Sequence, residues 1–437
     1  MEYQFGTDRY KLNSQYCIRS IIGLDTYSIA DHAKQLKMRI RHDSERADEL
    51  FRVGLEIEAF LLDSKGLPVN AGPLIREFGE ITKHTLDYEY GVCQFEYRTL
   101  PTPLEKLMDL NLELQEFIEC LDKAIHKVYK DVIPVFLGGN PSPEIFKNSL
   151  ITNKPRYDKL ASLQRKIPDA EIDGVKFKAE RIATAIQGFH IHLQGQSPTH
   201  TAKMFNHILN LIPSAIVLGA NSRLIAGKIF SQYEPRILLY DQSEQQNSGF
   251  PTITRYLDGI EDYIDYIISR EPNIAKDYFE LEKERHDDVR IRLNSDFYRV
   301  ETRVMSVQPT PSALMAIIEF FIGYLYKAIH QERQLRPLPA LREERLGVVK
   351  SGYDAVTHFN ILKTIEGQLD FARKGMEDLG VKPKFLSILN KRLENKNSPG
   401  QYVANLWEKK FNGSVEQTIA EITYEIWQRT KENRPIT

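Results

Sequence analysis

Hydrophobic and polar positions alternate along four short segments of the chain, while elsewhere apolar positions recur every three or four residues. Alternation is the period of a half-buried strand, and the longer spacing is that of a helix packing one face on a core. The alternation predicts strands at about 53–62, 92–100, 186–194 and 298–307, with a short apolar strand at 132–137. The helical spacing predicts helices at 30–51, 104–129, 201–211 and 256–268, a long apolar helix after Pro311, and a helical region from about 341 onwards, broken at Gly352, Pro383, Pro399 and Gly413. Because strands and helices do not alternate regularly, we expect an α+β fold with a mainly antiparallel sheet and helices on one side.

The four alternating strands each present an unusual polar face. Side chains two apart on a strand point the same way. The face residues are Glu56 and Glu58 on the first strand, Gln94, Glu96 and Arg98 on the second, His190, His192 and Gln194 on the third, and Glu301 and Arg303 on the fourth. The opposite faces are apolar except for Tyr97 and Thr302. A solvent-facing strand also alternates, but solvent faces mix Lys, Thr, Ser and Gln rather than repeating Glu, His and Arg in close pairs.

These residue types indicate divalent cations and phosphate. Several glutamates offer the hard oxygen ligands that suit Mg²⁺ and Mn²⁺. Two carboxylates at i and i+2 lie roughly 7 Å apart, a separation suited to flanking a pair of ions. Mg²⁺ usually completes its shell with water and substrate phosphates, which indicates a nucleotide, and arginines beside it would neutralise a transferring phosphoryl group. Gly138-Gly139 is too short to cradle phosphates by itself.

Composition excludes several classes of protein. The 58 Lys and Arg residues are balanced by 60 Asp and Glu residues, for a formal net charge of −2, so there is no basic excess for nucleic acid. Cys17, Cys93 and Cys120 are far apart, which argues against a disulfide framework and fits a reducing compartment. The chain begins without the apolar run of a secretory signal, and the apolar stretches at 208–220 and 313–325 are short and interrupted for a bilayer span. We therefore expect a cytoplasmic protein that acts on small molecules, with no nucleic-acid or membrane partner.

At these residues the sequence resembles the family-2 glutamate–cysteine ligases, also called carboxylate–amine ligases, which are related to glutamine synthetase. The matching motifs, in the family's order, are Gly54-Leu55-Glu56-Ile57-Glu58, Gln94-Phe95-Glu96-Tyr97-Arg98, Gly139-Asn140-Pro141, Pro155-Arg156-Tyr157, Gly188-Phe189-His190-Ile191-His192 and Glu301-Thr302-Arg303-Val304. The resemblance covers roughly residues 50–350. The sequence departs from the family at Asn140, where the family has His, and after Ser222, where the family has Pro.

The resemblance implies a saddle-shaped antiparallel sheet with metal ions and ATP on its concave face, and a role for each matched residue. The implied metal ligands are Glu56, Glu58, Glu96, His190 and Glu301. The implied catalytic residues are Glu96, Glu301 and Arg303, of which Arg303 contacts the γ-phosphate. Residues implied at the nucleotide are Arg303, Glu58 and His192, and those implied at the other substrates are Arg98, Arg156, Asn221 and Arg236.

The implied reaction is ATP-dependent amide formation through an acyl phosphate, with Mg²⁺ or Mn²⁺ as the metal. The carboxylate is that of glutamate and the amine is cysteine, as in γ-glutamylcysteine synthesis. We expect residues 1–350 to form the catalytic domain and 351–437 a helical extension that covers the site or makes a subunit contact in a homo-oligomer. Three alternatives stay open: a ligase for another amine or carboxylate, a zinc hydrolase suggested by His190-x-His192, and a non-catalytic nucleotide-binding relative.

Overall fold

The computed structural model describes residues 28–43, 52–146, 150–244, 247–293 and 298–437. Its helices are α1 (Ile29–Asp43), α2 (Gly72–Ile81), α3 (Leu107–Val128), α4 (Pro155–Gln164), α5 (Ala179–Ala185), α6 (Pro198–Gly219), α7 (Pro235–Glu244), α8 (Ile260–Ile268), α9 (Tyr278–Lys283), α10 (Pro311–His330), α11 (Leu338–Ser351), α12 (Ile361–Asp378), α13 (Leu386–Glu394), α14 (Pro399–Lys410) and α15 (Val415–Lys431). Its strands are β1 (Arg52–Asp63), β2 (Leu86–Tyr88), β3 (Gln94–Arg98), β4 (Thr102–Pro103), β5 (Val132–Val135), β6 (Ala170–Ile172), β7 (Val175–Phe177), β8 (Gly188–Gln194), β9 (Leu224–Ile225), β10 (Lys228–Ile229), β11 (Ser248–Gly249), β12 (His286–Asp287), β13 (Val289–Arg292) and β14 (Arg299–Ser306). The end of the predicted helix 30–51 and Cys17 lie outside the described residues.

One eight-stranded sheet organises the fold. Its strand order is β13-β14-β8-β1-β3-β2, and β4 and β5 also pair with β1. The pairings within this sheet are antiparallel. β1 is central because it is 12 residues long, so that β8 and β5 pair along one of its edges and β3 and β4 pair along the other. The combination of this sheet with helices confirms the predicted α+β class.

The apolar face of the sheet packs on helices, as the alternation predicts. Leu55 and Ile57 of β1 belong to the same buried cluster as residues of α3, α6, α10 and α12. Tyr97, the polar exception on this face, is fully buried, stacks on Phe117 with ring centroids 4.0 Å apart, and donates its hydroxyl hydrogen to Glu113 at 2.9 Å. A buried tyrosine hydroxyl needs such a partner, so Tyr97 fits the core side of β3.

The helices after residue 350 pack on both sides of the sheet. Ile365 and Leu369 of α12 join the large cluster beneath the apolar face. Ile419 and Ile422 of α15 join a second cluster around Phe60 of β1 and its neighbours on β5. The predicted boundary at residue 350 stays a prediction, because these contacts do not by themselves define a folding unit.

One helix in the described part of the chain, Pro311–His330, is long and apolar enough to cross a membrane. It extends beyond the predicted apolar stretch 313–325. Of its most apolar window, 83% is buried inside the protein, as in a core helix. The predicted helix 201–211 is likewise longer in the structure, where α6 runs from Pro198 to Gly219 through Pro213.

Candidate functional site

Strand register brings the predicted polar faces together into one surface. Residues directly opposite each other on antiparallel strands point to the same face. The register gives three rows across the sheet: Asp87, Glu96 and Glu58; Arg98, Glu56 and His190; and His192, Glu301 and Arg290. The polar surface therefore runs across six strands, from β2 to β13, rather than the four that carry the motifs.

Glu56, His190 and Glu301 form a group that can hold a cation. One ligand atom from each lies within 4.8 Å of the others. The ring Nδ1 of His190 is 2.9 Å from Glu56 Oε2, and its Nε2 is 3.8 Å from Glu58 Oε1. Burial, together with the Arg303 guanidinium, lowers the pKa of His190 to about 4, so the imidazole is neutral near pH 7, the form that binds metals.

A second group of carboxylates lies beside the first. Burial raises the pKa of Glu58 to about 7, and the neighbouring Glu89 carboxylate adds to the effect. The pKa of Glu96 is raised well above its usual range by burial and by the charges of Glu56 and Glu89. Such mutual repulsion is what bound cations relieve. Sequence reasoning missed Glu89, because it precedes β3 on a segment with no strand period.

Guanidinium groups fill the opposite half of the polar surface. Arg290 binds both oxygens of Glu301, at 2.8 and 2.9 Å, and Arg303 contacts the same carboxylate. Burial opposes the ionisation of Glu301, but these two arginines outweigh it and hold its pKa well below the usual range. Arg292 faces Arg299 across β13 and β14. The alternation Val289-Arg290-Ile291-Arg292 signals a strand with a basic face, and it could have identified these arginines, which sequence reasoning missed.

Arg98 lies among carboxylates at the exposed edge of the surface. It contacts Asp87 and Glu96 closely, and its Nε is 3.5 Å from Glu56 Oε1. These pairs neutralise part of the negative charge of the acidic half. Its predicted contact with substrate stays a prediction.

The other predicted substrate residues lie in different surroundings. Asn221 is buried, and its side-chain amide donates to the carbonyl oxygens of Phe136 at 2.9 Å and Val307 at 2.7 Å. Arg156 is exposed at the start of α4. Both roles stay predictions. Asn140, the departure from the family motif, is buried and accepts from the backbone of Ser142 at 3.0 Å, so it braces a turn.

Arg236 reaches the polar surface from α7. Its guanidinium donates to the carbonyl oxygens of Val304 at 3.2 Å and Arg303 at 3.4 Å. The arginine therefore touches the backbone that carries Arg303. Cys93 is buried beside β3, and burial raises the pKa of its thiol to about 12.

The donor set fits divalent metal ions. It offers carboxylate oxygens and neutral imidazole, the ligands of Mg²⁺ and Mn²⁺ sites. Both ring nitrogens of His192 are buried without a hydrogen bond, although Nε2 lies 3.4 Å from Glu56 Oε1. An orphaned buried imidazole beside a carboxylate cluster is explained if a ligand supplies its partner.

Comparison with known proteins identifies a family and a shared fold. A family model described as glutamate-cysteine ligase family 2 (GCS2) matches residues 52–362. No curated protein matches the sequence. A bifunctional glutathione synthetase from Pasteurella multocida has a similar structure, with a TM-score of 0.59 at 16% identity over 92% of this chain and 54% of that one. This chain thus spans about half the length of that protein. A glutamate–cysteine ligase from Francisella tularensis, in complex with AMP, has a TM-score of 0.52 at 12% identity over 88% of this chain and 89% of that one.

Proposed function

The chain belongs to glutamate-cysteine ligase family 2, and on that basis we propose that it is an ATP- and Mg²⁺-dependent carboxylate–amine ligase. The reaction forms an amide through an acyl phosphate, with glutamate as the carboxylate and cysteine as the amine. The observation that carries the proposal is the meeting of Glu56, His190 and Glu301 within 4.8 Å, beside Arg303. The AMP in the Francisella tularensis ligase supports the use of a nucleotide.

Two groups of side chains would hold metal ions. Glu56, His190 and Glu301 form the first group, and the carboxylates with raised pKa values, Glu58, Glu89 and Glu96, form the second. Bound Mg²⁺ supplies charge neutralisation and orientation for the transferring phosphoryl group. We propose that this polar surface is the concave side of a saddle-shaped sheet.

The arginine half of the surface would receive the phosphates. Arg303 would contact the γ-phosphate, and Glu301 orients its guanidinium through their ion pair. The separation of charge across the surface would orient the substrates. Phosphates are attracted towards the guanidinium half, and the amine, when protonated, is attracted towards the carboxylate half. His192 and Glu58 lie where these halves meet and would contact the nucleotide phosphates or their metal ions.

A zinc hydrolase is the weaker alternative. Zinc catalytic sites typically use two or three histidines, whereas the metal-competent group found among the described residues contains one. A ligase with another amine or carboxylate remains within the proposed class. We further propose a cytoplasmic location and a small-molecule amine.

The proposal is tested by phosphate release from Mg-ATP, with glutamate as donor and a panel of amino acids as amines. The Glu56→Gln variant keeps the side-chain shape but removes the charge at the centre of the first ligand group. Glu113→Gln is the matched control, because Glu113 lies on the helix side of the sheet and bonds Tyr97. We expect release with glutamate and cysteine in the wild type and in Glu113→Gln, and a fall of at least about 100-fold in Glu56→Gln.

Each other outcome has a defined meaning. Release with a different amine keeps the ligase class and changes the substrate. If no pair of substrates gives release and the protein does not bind Mg-ATP, the proposed function is wrong. Equal loss in the two glutamine variants would mean that the substitution acts through folding rather than through the polar surface.

A further inference from the structure

Strand β14 contains a bulge at the residue that carries the proposed phosphate contact. The pairing with β8 runs from Thr302 opposite Ile191 to Met305 opposite Phe189. Two residues, Arg303 and Val304, thus lie opposite His190 alone. A bulge leaves backbone groups unpaired and re-aims the side chain it carries. The direction of the Arg303 side chain therefore depends on whatever fixes this bulge.

Arg236 satisfies the carbonyl groups of the bulge. Its Nη1 donates to Val304 O at 3.2 Å, and its Nη2 donates to Arg303 O at 3.4 Å. The Arg236 side chain is buried and projects from α7. One side of the bulge is thereby tied to α7.

Asp288 satisfies the amide of Arg303 from the other side. The Arg303 N–H donates to the Asp288 carbonyl oxygen at 2.8 Å. Asp288 lies between β12 and β13, and its own N–H donates to Gly249 O at 2.8 Å. The position of Asp288 therefore sets the position of the Arg303 backbone.

The guanidinium of Arg345 joins these two supports. It projects from α11, is 3% exposed, and binds two carboxylates. Nη1 and Nη2 donate to the two oxygens of Asp241 on α7, at 2.7 and 3.1 Å. Nε donates to Asp288 Oδ2, and Nη2 donates to Asp288 Oδ1 at 2.8 Å. We call Asp241, Arg345 and Asp288 the Arg345 bridge.

We propose that Arg345 is a positioning residue for the reaction: by locking α7 to Asp288, the Arg345 bridge holds the β14 bulge in the shape that aims Arg303 across the polar surface. The inference rests on the proposed function, which assigns Arg303 to the phosphate. The hydrogen bonds of the Arg345 guanidinium go to Asp241 and Asp288, which are not among the proposed metal or phosphate contacts. Its fork geometry matters, because a bidentate contact to two carboxylates fixes both their distance and their orientation.

The test uses Arg345→Met, Arg345→Lys and a matched control, Arg336→Met. The Arg336 guanidinium also anchors α11, through Glu344 at 2.6 Å, but it ties that helix to Asn210 O of α6, at 2.7 Å, rather than to β14. Because Arg345→Met leaves the buried Asp288 carboxylate and the half-buried Asp241 carboxylate without this partner and is liable to unfold, the neutral triple variant Arg345→Met/Asp241→Asn/Asp288→Asn accompanies it. Thermal unfolding identifies which variants are folded.

Two measurements report on positioning. The first is the rate of hydrogen exchange at the Arg303 amide, which needs no activity. We expect faster exchange in the peptide 299–306 of the folded bridge variants and wild-type exchange in Arg336→Met. The second is the double-mutant cycle with Arg303→Lys. We expect bridge variants to lower kcat by about 10- to 100-fold with little change in KM for the carboxylate, and to have little further effect once Arg303 is replaced.

The outcomes separate this inference from the proposed function. If the wild type releases no phosphate, the proposed function fails, while the exchange experiment still decides whether the bridge holds the bulge. Unchanged exchange at Arg303 in a folded bridge variant overturns the inference. So does a kcat effect that adds fully to that of Arg303→Lys, or one that Arg336→Met reproduces.

Discussion

Gly188 opens β8 at a place where two candidate site residues, His190 and Arg236, leave no room for a further side chain. A Cβ atom there would lie 2.7 Å from Arg236 Nη2 and 2.7 Å from His190 Nε2. The backbone N–H of Gly188 also donates to Glu58 Oε2 at 2.5 Å. A glycine at this position therefore allows a metal-ligand candidate, the bulge-binding arginine and a carboxylate to converge.

We expect Gly188→Ala to displace His190 and Arg236 together. Because both side chains are buried, neither moves without disturbing its partners, and the ligase rate should fall by about 10- to 100-fold. Gly54→Ala is the control on the neighbouring strand, since its Cβ would meet His192 Cβ at an ordinary 3.9 Å. Mn²⁺ affinity and phosphate release should both fall in Gly188→Ala. If that variant retains both, the close approach of His190 and Arg236 to Gly188 is not required for activity.

Residues of the candidate site could be predicted from the sequence where the alternation of a strand placed them on one face. The i, i+2 pairs on β1, β8 and β14 marked Glu56, His190 and Glu301 as residues of one kind of surface. Glu89 carries no such signal, because its carboxylate reaches the acidic group from an irregular segment before β3. The role of Arg345 could not be predicted from the sequence for a different reason. An arginine in an amphipathic helix is normally exposed to solvent, and Arg345 is buried only by tertiary packing.

At the scale of elements, strand faces were predictable but strand neighbours were not. Alternation states which side chains share a face, while pairing depends on contacts between residues far apart in sequence. The meeting of Glu56 with His190 joins positions 134 residues apart. The four-residue strand β13 was missed although its alternation Val289-Arg290-Ile291-Arg292 was a usable signal, and it supplies the arginine that holds Glu301.

Helices α10 and α12 cross at paired glycines. A Cβ at Gly375 would lie 1.8 Å from the Gly323 carbonyl oxygen, and one at Gly323 would lie 2.1 Å from the Ala372 carbonyl oxygen. The two backbones are thus in direct contact. This crossing attaches the helical region after residue 350 to the long apolar helix beneath the sheet.

We expect Gly375→Ala to separate the two helices and to lower the free energy of unfolding by about 1–3 kcal/mol or more, the usual cost of overpacking. Gly367→Ala in the same helix is the control, because a Cβ there meets nothing within 4 Å. That change should stabilise α12 by up to about 1 kcal/mol, since alanine favours helix over glycine. Urea unfolding measures the stability of both variants, and equal midpoints would show that α10 and α12 accommodate the added methyl group without loss of stability.

At the scale of the whole molecule, the C-terminal helices complete two cores rather than one. α12 and α13 contribute to the cluster beneath the apolar face, and α14 and α15 contribute to the cluster around Phe60 and Leu62. On β1, Phe60 and Leu62 lie on the same face as Glu56 and Glu58, by the alternation of the strand. The chain after residue 350 therefore covers the end of the very face that carries the polar surface.

A fragment ending at residue 350 should consequently fail to form the native sheet. Removal of residues 351–437 would expose Leu62 and Phe60 on one face of the sheet and the glycine crossing of α10 on the other. It would also expose the residues that now pack against the buried apolar side chains between Ile361 and Ile436. Each large aliphatic side chain left without its core costs about 1.5–3 kcal/mol, and the sum exceeds the 5–15 kcal/mol by which domains are typically stable. We expect the fragment to be poorly folded by circular dichroism and to lack Mg-ATP binding, and adding the 351–437 segment in trans should restore part of both. A fragment that folds alone and binds Mg-ATP would instead establish residues 1–350 as an independent catalytic domain, with the C-terminal helices as an addition to it.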